Sequence, residues 1–208
     1  MYWRIITLLK MKILAFTDTH GSLEAIRRVR KKVKDSDLLV CAGDISVFES
    51  SIFSIFKKLN NLGKKMIMIH GNHEDSSTFV KYSKRFDNII FIHKKHFAID
   101  DLLFLGFGGG GFSMIDKEFE KTSKKFKEII KKNADKKIIL VTHAPPYKTK
   151  LDHIDGAYCG NKSIRHFVER NKVDFLICGH LHENFGKEDK IHKTIVINPG
   201  PFGKVIKI

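Results

Sequence analysis

Eight short apolar runs punctuate the chain, at 12–17, 37–42, 65–70, 89–92, 102–106, 137–142, 173–178 and 193–198, each rich in Ile, Leu, Val or Phe. A strand with one wet face alternates with period two, so runs apolar along their whole length read as strands covered on both faces. Between several of them lie Lys-rich stretches with apolar residues at helical spacing, at 22–34 (Leu23, Ile26, Val29, Val33), 50–62 and 117–133 (Phe119, Phe126, Ile129, Ile130). Strands alternating with helices that can cover them predict an α/β architecture. The runs at 89–92 and 102–106 follow each other closely, which predicts antiparallel hairpin pairing added to a parallel part.

Composition matters chiefly for what it excludes. At 208 residues and 42% hydrophobic, with 17 Phe, the chain can bury a full core without covalent staples. Cys41, Cys159 and Cys178 form no CxxC pair, which argues against a disulfide framework and a thiolate zinc site, and makes the cytoplasm the expected location. No apolar run approaches the roughly 18 residues of a membrane span, so no membrane partner is expected. Met1–Lys10 has too short an apolar core for a secretory signal, whereas Met11–Phe16 resembles a natural start. Residues 1–11 are therefore expected to be a dispensable arm, and 12–208 a single domain. Thirty-eight Lys and Arg against 23 Asp and Glu give +15 at pH 7, which raises nucleic acid as an anionic partner. The Lys clusters at 31–34, 57–65, 124–137 and 187–193 equally suit solvated helix faces.

The chemistry-bearing residues fall where the predicted strands end. The first strand runs into Asp18-Thr19-His20, the second into Gly43-Asp44 and the third into Gly71-Asn72-His73-Glu74. Two later ones end in His143-Ala144-Pro145-Pro146 and Gly179-His180-Leu181-His182. Ligands of open α/β sheets bind beyond the carboxyl ends of strands, so these five ends are expected to converge. In extended chain residues i and i+2 share a face, so Asp18 with His20, and His180 with His182, are predicted to form two clamps, Thr19 and Leu181 turning away. Asp18, His20, Asp44, Asn72, His143, His180 and His182 supply imidazole nitrogens and carboxyl or carboxamide oxygens without thiolate. Seven ligands exceed what one divalent ion takes from protein, and two ions sharing a carboxylate fit the count. The donor mixture favours Mn²⁺, with Fe, Zn²⁺ or Ni²⁺ as alternatives, over Ca²⁺.

The ordered set DxH, GD, GNHE, His, GHxH resembles the calcineurin-like metallophosphoesterase superfamily over nearly all of residues 12–200. Gly160–Arg165 and Val196–Pro201 look like its small Icc-related prokaryotic members. The resemblance implies a four-layer α/β/β/α sandwich of two mixed sheets flanked by helices. It also implies Asp18, His20 and His182 on one metal, Asn72, His143 and His180 on the other, Asp44 bridging, and His73 as the catalytic residue beside the scissile phosphate. The implied activity is hydrolysis of a phosphodiester or phosphomonoester by metal-activated hydroxide, diesters being favoured, with nuclease action on RNA or DNA, or a non-catalytic binding scaffold, as alternatives. Some relatives place an acidic residue three positions after the bridging aspartate to orient the histidine; here that position is Val47, with Glu49 two further on.

One motif stands outside this pattern. Gly106-Phe107-Gly108-Gly109-Gly110-Gly111 spells a dinucleotide fingerprint after an apolar run. The next strand ends in His143, with no acidic residue for a ribose hydroxyl, so a loop near the phosphate site is the expected role.

Overall fold

The computed structural model describes residues 10–208, and the expectation for an N-terminal arm falls, over residues 1–9, outside them. From Met11 onward the chain is engaged, since the Met11 carbonyl accepts a hydrogen bond from Ile208 N at 3.0 Å. Along the sequence run β1 (Lys12–Phe16), α1 (Leu23–Val33), β2 (Leu38–Cys41), α2 (Ile52–Asn60), β3 (Met66–Met68), α3 (Ser76–Ser83), β4 (Ile89–Phe91), β5 (Lys95–Ile99) and β6 (Leu102–Phe107). Then follow α4 (Lys117–Lys132), β7 (Lys137–Thr142), β8 (His153–Ile154), β9 (Ala157–Tyr158), α5 (Lys162–Arg170), β10 (Phe175–Ile177), β11 (Glu188–Ile191), β12 (Thr194–Ile197) and β13 (Lys204–Lys207).

Two mixed sheets result, in the orders β13-β1-β2-β3-β4 and β11-β12-β10-β7-β6-β5, with β8-β9 as a separate small hairpin. In the first, β1 to β4 are mutually parallel and β13 is antiparallel to β1. In the second, β12, β10, β7 and β6 are parallel, and β11 and β5 are antiparallel edges. The run at 89–92 does not join a hairpin with 102–106: β4 extends the first sheet, and the hairpin partner of β6 is β5. Strand β5 escapes the apolar-run reading because it is an edge with alternating wet side chains, and such strands need no continuous hydrophobic run.

Alternate residues of each strand feed different layers. Ile13, Ala15, Val40 and Ile67 of the first sheet meet Phe104, Ile139, Val141 and Ile177 of the second between the sheets. Their neighbours Leu14, Phe16, Leu39 and Met68 face outward beneath Val29 of α1, Phe56 of α2 and Phe79 of α3. On the far side, Leu103, Leu140 and Leu176 lie under Phe119 and Phe126 of α4 and Phe167 of α5. Three apolar seams separate four layers, helix, sheet, sheet, helix, the arrangement that the family resemblance implies. Helix starts follow local capping chemistry: Ser22, Asp75, Asp116 and Asn161 each accept a backbone N–H of the first turn. Helices α3 and α5 lie outside the helical stretches read from sequence; α3 buries only Phe79 and offers little periodicity.

Candidate metal centre

The carboxyl ends of β1, β2, β3, β7 and β10 meet at one edge of the sandwich. Parallel registers level them within each sheet, with Phe16 beside Cys41, Cys41 beside Met68, and Val141 beside Ile177. Hydrogen bonds then stitch one sheet to the other. His143 Nδ1 donates to the Ala42 carbonyl at 2.8 Å, and His180 N donates to the Asp18 carboxylate at 3.1–3.2 Å.

The backbone leaves the strands through left-handed conformations at Asp18 (φ 52°), His20 (φ 43°), Asp44 (φ 50°) and His180 (φ 73°). Non-glycine residues occupy that region at a cost, and such strain clusters where side chains are aimed for function. Strand alternation is therefore not what groups these residues, which corrects the clamp expectation. Thr19 is buried with its hydroxyl on the Ile45 carbonyl, as expected of a residue turned away, whereas Leu181, though buried, lines the cavity on the centre. Asp18 and His20 do approach, with Oδ1 and Nε2 at 3.9 Å. His180 and His182 part instead: His182 Nε2 lies 3.1 Å from His20 Nε2, while the His180 ring sits 5.3 Å from that of His143. The physical reason is the sharp bend at His180 followed by a 3-10 turn at His182–Asn184.

Two buried carboxylates lie at the heart of the cluster. Asp18 and Asp44 are 3% and 2% exposed, and among the described residues only histidines form ion pairs with them. Buried carboxylates without a lysine or arginine require some other cation. Asp44 Oδ2 stands 3.3 Å from His143 Nε2, 3.8 Å from His20 Nε2 and 4.0 Å from His73 Nε2. Asn72 Oδ1 is 2.9 Å from His143 Nε2.

The electrostatics match this geometry. Burial pushes the Asp44 carboxyl up, but the hydrogen bond and charge of His143 outweigh it and hold the group down at about 2. Burial would lower His143, and the Asp44 carboxylate reverses that, raising it. Burial lowers His20, and brings His180 down to about 4 with help from His143, so both favour the neutral imidazole. His182 is raised by the Asp18 carboxylate, whose Oδ1 lies 3.7 Å from its Nε2. His180 Nε2 is buried and has no hydrogen-bond partner among the described residues. A divalent ion needs neutral imidazole nitrogens and ionised carboxylates, which His20, His180 and Asp44 already offer, while His143 and His182 stand as proton-bearing partners of the carboxylates that an ion would displace. Asp18, His20 and His182 offer ligand atoms within 4.8 Å of one another, as do Asp18, Asp44 and His143. The donor set thus fits divalent ions, and the His180 nitrogen is an orphan that one would satisfy.

His73 stands at the rim. Its Nδ1 is buried without a partner among the described residues, so no carboxylate holds that nitrogen, while Nε2 faces Asp44. The ring is held instead by aromatic neighbours, Phe48 at 4.6 Å and His20 edge-on at 5.0 Å between centroids. Val47 supplies no acceptor, and Glu49 turns to Asp75 N (2.8 Å) and Thr78 Oγ1 (3.1 Å) at the start of α3. Glu74 is occupied as well: it accepts from Asp44 N, Ser46 N, Ser46 Oγ and Gly71 N at 2.8–3.1 Å, tying the loop after β2 to the loop after β3. Phe48 carried no sequence signal, since an aromatic residue in a loop has no period to mark it.

A cavity of about 260 Å³ opens on the centre, lined by Asp44, Asn72, His73, Phe112, Ile154, His180, Leu181, His182 and Glu183. Lys148, Lys150, His153 and Tyr158 line a different cavity of about 340 Å³ with Thr149, Lys187 and Asp189. The glycine-rich segment crosses β3's end rather than opening a helix: Gly109 N donates to His70 O at 3.1 Å, and α4 begins later with its own Asp116 cap. It therefore lacks the helix N-terminus on which a dinucleotide fingerprint depends.

Comparison with known proteins bears on this arrangement. A family model described as calcineurin-like phosphoesterase matches residues 11–184. An uncharacterized protein of Methanocaldococcus jannaschii is 35% identical over 201 residues, covering 92% of this chain and 88% of its own length. Among solved structures, a Thermus thermophilus protein superposes with a TM-score of 0.73 at 15% identity, over 93% of this chain and 90% of that one. A dimetal phosphatase from Danio rerio superposes at 0.66 and 9% identity, over 90% of this chain and 86% of its own. At such identities the two structures speak for the fold alone.

Proposed function

This chain belongs to the calcineurin-like phosphoesterase family, and from that premise we propose that it hydrolyses phosphodiesters with two divalent ions, manganese being favoured. The observation that carries the reading is the pair of buried carboxylates, Asp18 and Asp44, ringed by imidazole nitrogens with no lysine or arginine paired to them among the described residues. Asp18, His20 and His182 would hold one ion, and Asn72, His143 and His180 the other, with Asp44 shared between them. Residues 12–208 form the catalytic unit, and the free state of Cys41, Cys159 and Cys178 suits a reducing cytoplasm.

When bound, the two ions acidify a water molecule and offset the charge that gathers on the phosphoryl oxygens. The chain's own residues do the rest. Burial and their neighbours keep His20 and His180 neutral and Asp44 ionised, so those three need no proton removed near neutral pH, whereas His143 and His182, raised by the carboxylates beside them, would give up a proton to the ions. Asn72 Oδ1 adds an uncharged donor, which leaves the centre net positive toward an anion. In hydrolysis, oxygen from water bonds to phosphorus as the bond to the leaving oxygen breaks, and that oxygen takes a proton. His73 is the group at the rim able to hold it on Nε2, the nitrogen that faces Asp44 at 4.0 Å.

A panel of chromogenic mono- and diesters assayed after exhaustive chelation, with manganese then restored, tests this reading. Activity lost with the chelator and regained with Mn²⁺ supports it. Full activity without metal removes the mechanism.

A further inference from the structure

The glycine-rich segment after β6 carries Phe112 to the mouth of the centre, and it is built to hold it there. Gly108 N donates to His93 Nδ1 at 2.9 Å, and Gly109 N to His70 O. A side chain at Gly108 would place its Cβ 2.5 Å from that carbonyl oxygen, and Gly109, Gly110 and Gly111 follow at φ 80°, 112° and 68°. Only glycine passes there without strain. Beyond Phe112 the far end is tied to the start of α5, where Asn161 Nδ2 donates to Ser113 O at 2.8 Å and Lys162 N to Met114 O at 2.7 Å. A loop pinned at both ends nevertheless leaves Phe112 66% exposed, and among the described residues its one close aromatic contact is the His180 ring at 4.7 Å. Contiguous apolar surface that the fold leaves open marks sites that bind something, and Phe112 shares its cavity with Ile154 and Leu181.

Ile154, on the β8-β9 hairpin, lines the same cavity, and Glu183 supplies a carboxylate there. We propose that Phe112 and Ile154 form a slot for a planar, uncharged ring attached to the phosphoryl group, so that the substrate is a phosphodiester carrying an aryl or nucleobase substituent. The inference deepens the phosphodiesterase reading and rests on it. The slot selects by chemistry. An aromatic face accepts any planar ring, and Glu183 disfavours a second anionic group beside the phosphoryl centre. With p-nitrophenol as the departing group, the slot receives the other substituent, so a monoester leaves it empty and a small alkyl diester fills it without stacking. Ring stacking of this type is worth about five- to hundredfold in affinity.

Two measurements on the full chain test the slot. In the first, the manganese-loaded protein hydrolyses phenyl p-nitrophenyl phosphate, ethyl p-nitrophenyl phosphate and p-nitrophenyl phosphate, followed as kcat/KM. In the second, calorimetry compares binding of diphenyl and diethyl phosphate. The phenyl diester should exceed the ethyl diester by at least about fivefold in both measurements. Phe112→Ala should bring both ratios to within about twofold, whereas Phe112→Trp should keep them. Equal handling of phenyl and ethyl diesters by the wild type, or ratios untouched by Phe112→Ala, would overturn the slot while leaving the phosphoesterase standing. Failure to hydrolyse any of the three esters with manganese present would remove the phosphoesterase reading and the slot with it.

Discussion

His73 and Asp44 sit within 4.0 Å of each other yet have different tasks, and substitution separates them. His73→Ala removes a proton holder at the rim but no member of the proposed ligand set. It should retain two metals per chain by elemental analysis while turnover falls about 10²- to 10⁴-fold. Asp44→Ala takes away the carboxylate that faces three imidazoles and should lose metal as well as activity; equal metal content in the two variants would refute the division. Phe48 gives a third test. Its ring is 77% exposed and packs on His73, where some relatives use a carboxylate. Phe48→Ala should lower kcat by about tenfold through a wandering imidazole, and Phe48→Tyr should restore it. At this scale the sequence was legible where spacing and type coincide: all seven proposed ligands and His73 converge on one place. It was silent on how His73 is held, because an aromatic contact between a loop after β2 and one after β3 leaves no trace along the chain.

Between elements, the loops after β2 and β3 are locked by Glu74, whose carboxylate accepts four hydrogen bonds from Asp44, Ser46 and Gly71 while 8% exposed. Burial, with the nearby Asp44 charge, raises its carboxyl group. Glu74→Gln turns an amide N–H toward backbone donors, so about 1–3 kcal/mol of stability should be lost in urea unfolding. Gly71 explains the closeness of the same loops: a Cβ there would fall 1.8 Å from Asp44 Oδ1. Buried strands announced themselves in the sequence as continuous apolar runs, and α1, α2 and α4 by their spacing. The edge strands β5, β11 and β13 did not, since one side of each faces no neighbour and their side chains are half wet.

Across the whole molecule, two buried or half-buried histidines brace the glycine-rich loop from beneath. The His70 and His93 rings lie 4.5 Å apart, and His93 accepts from Gly108 N, which requires a bare Nδ1. Burial, reinforced by His70, lowers His93 to about 3. The folded chain therefore refuses a proton that the unfolded chain accepts below about 6.5. The His93 contribution is complete above that pH and is lost progressively as pH falls toward 3. Urea midpoints between pH 7 and 4 should drop more steeply for the wild type than for His93→Asn, which keeps an acceptor that does not titrate. The +15 charge also belongs to this scale. If nucleic acid is the substrate, binding of an oligonucleotide should weaken steeply with added salt; a flat salt response would assign the lysines to solvated helix faces. By itself the sequence determined the alternation of strands and helices, the residues offered at five strand ends, and thereby the family. Local chemistry suffices for those, because period, capping and residue type act within a few positions. The tertiary structure alone decided that the ends come from two different sheets, that left-handed turns rather than strand faces aim Asp18, His20, Asp44 and His180, and that Phe112 stands beside them. Those are contacts between segments up to 162 residues apart, as between Asp18 and His180, and they exist only once the sheets have packed.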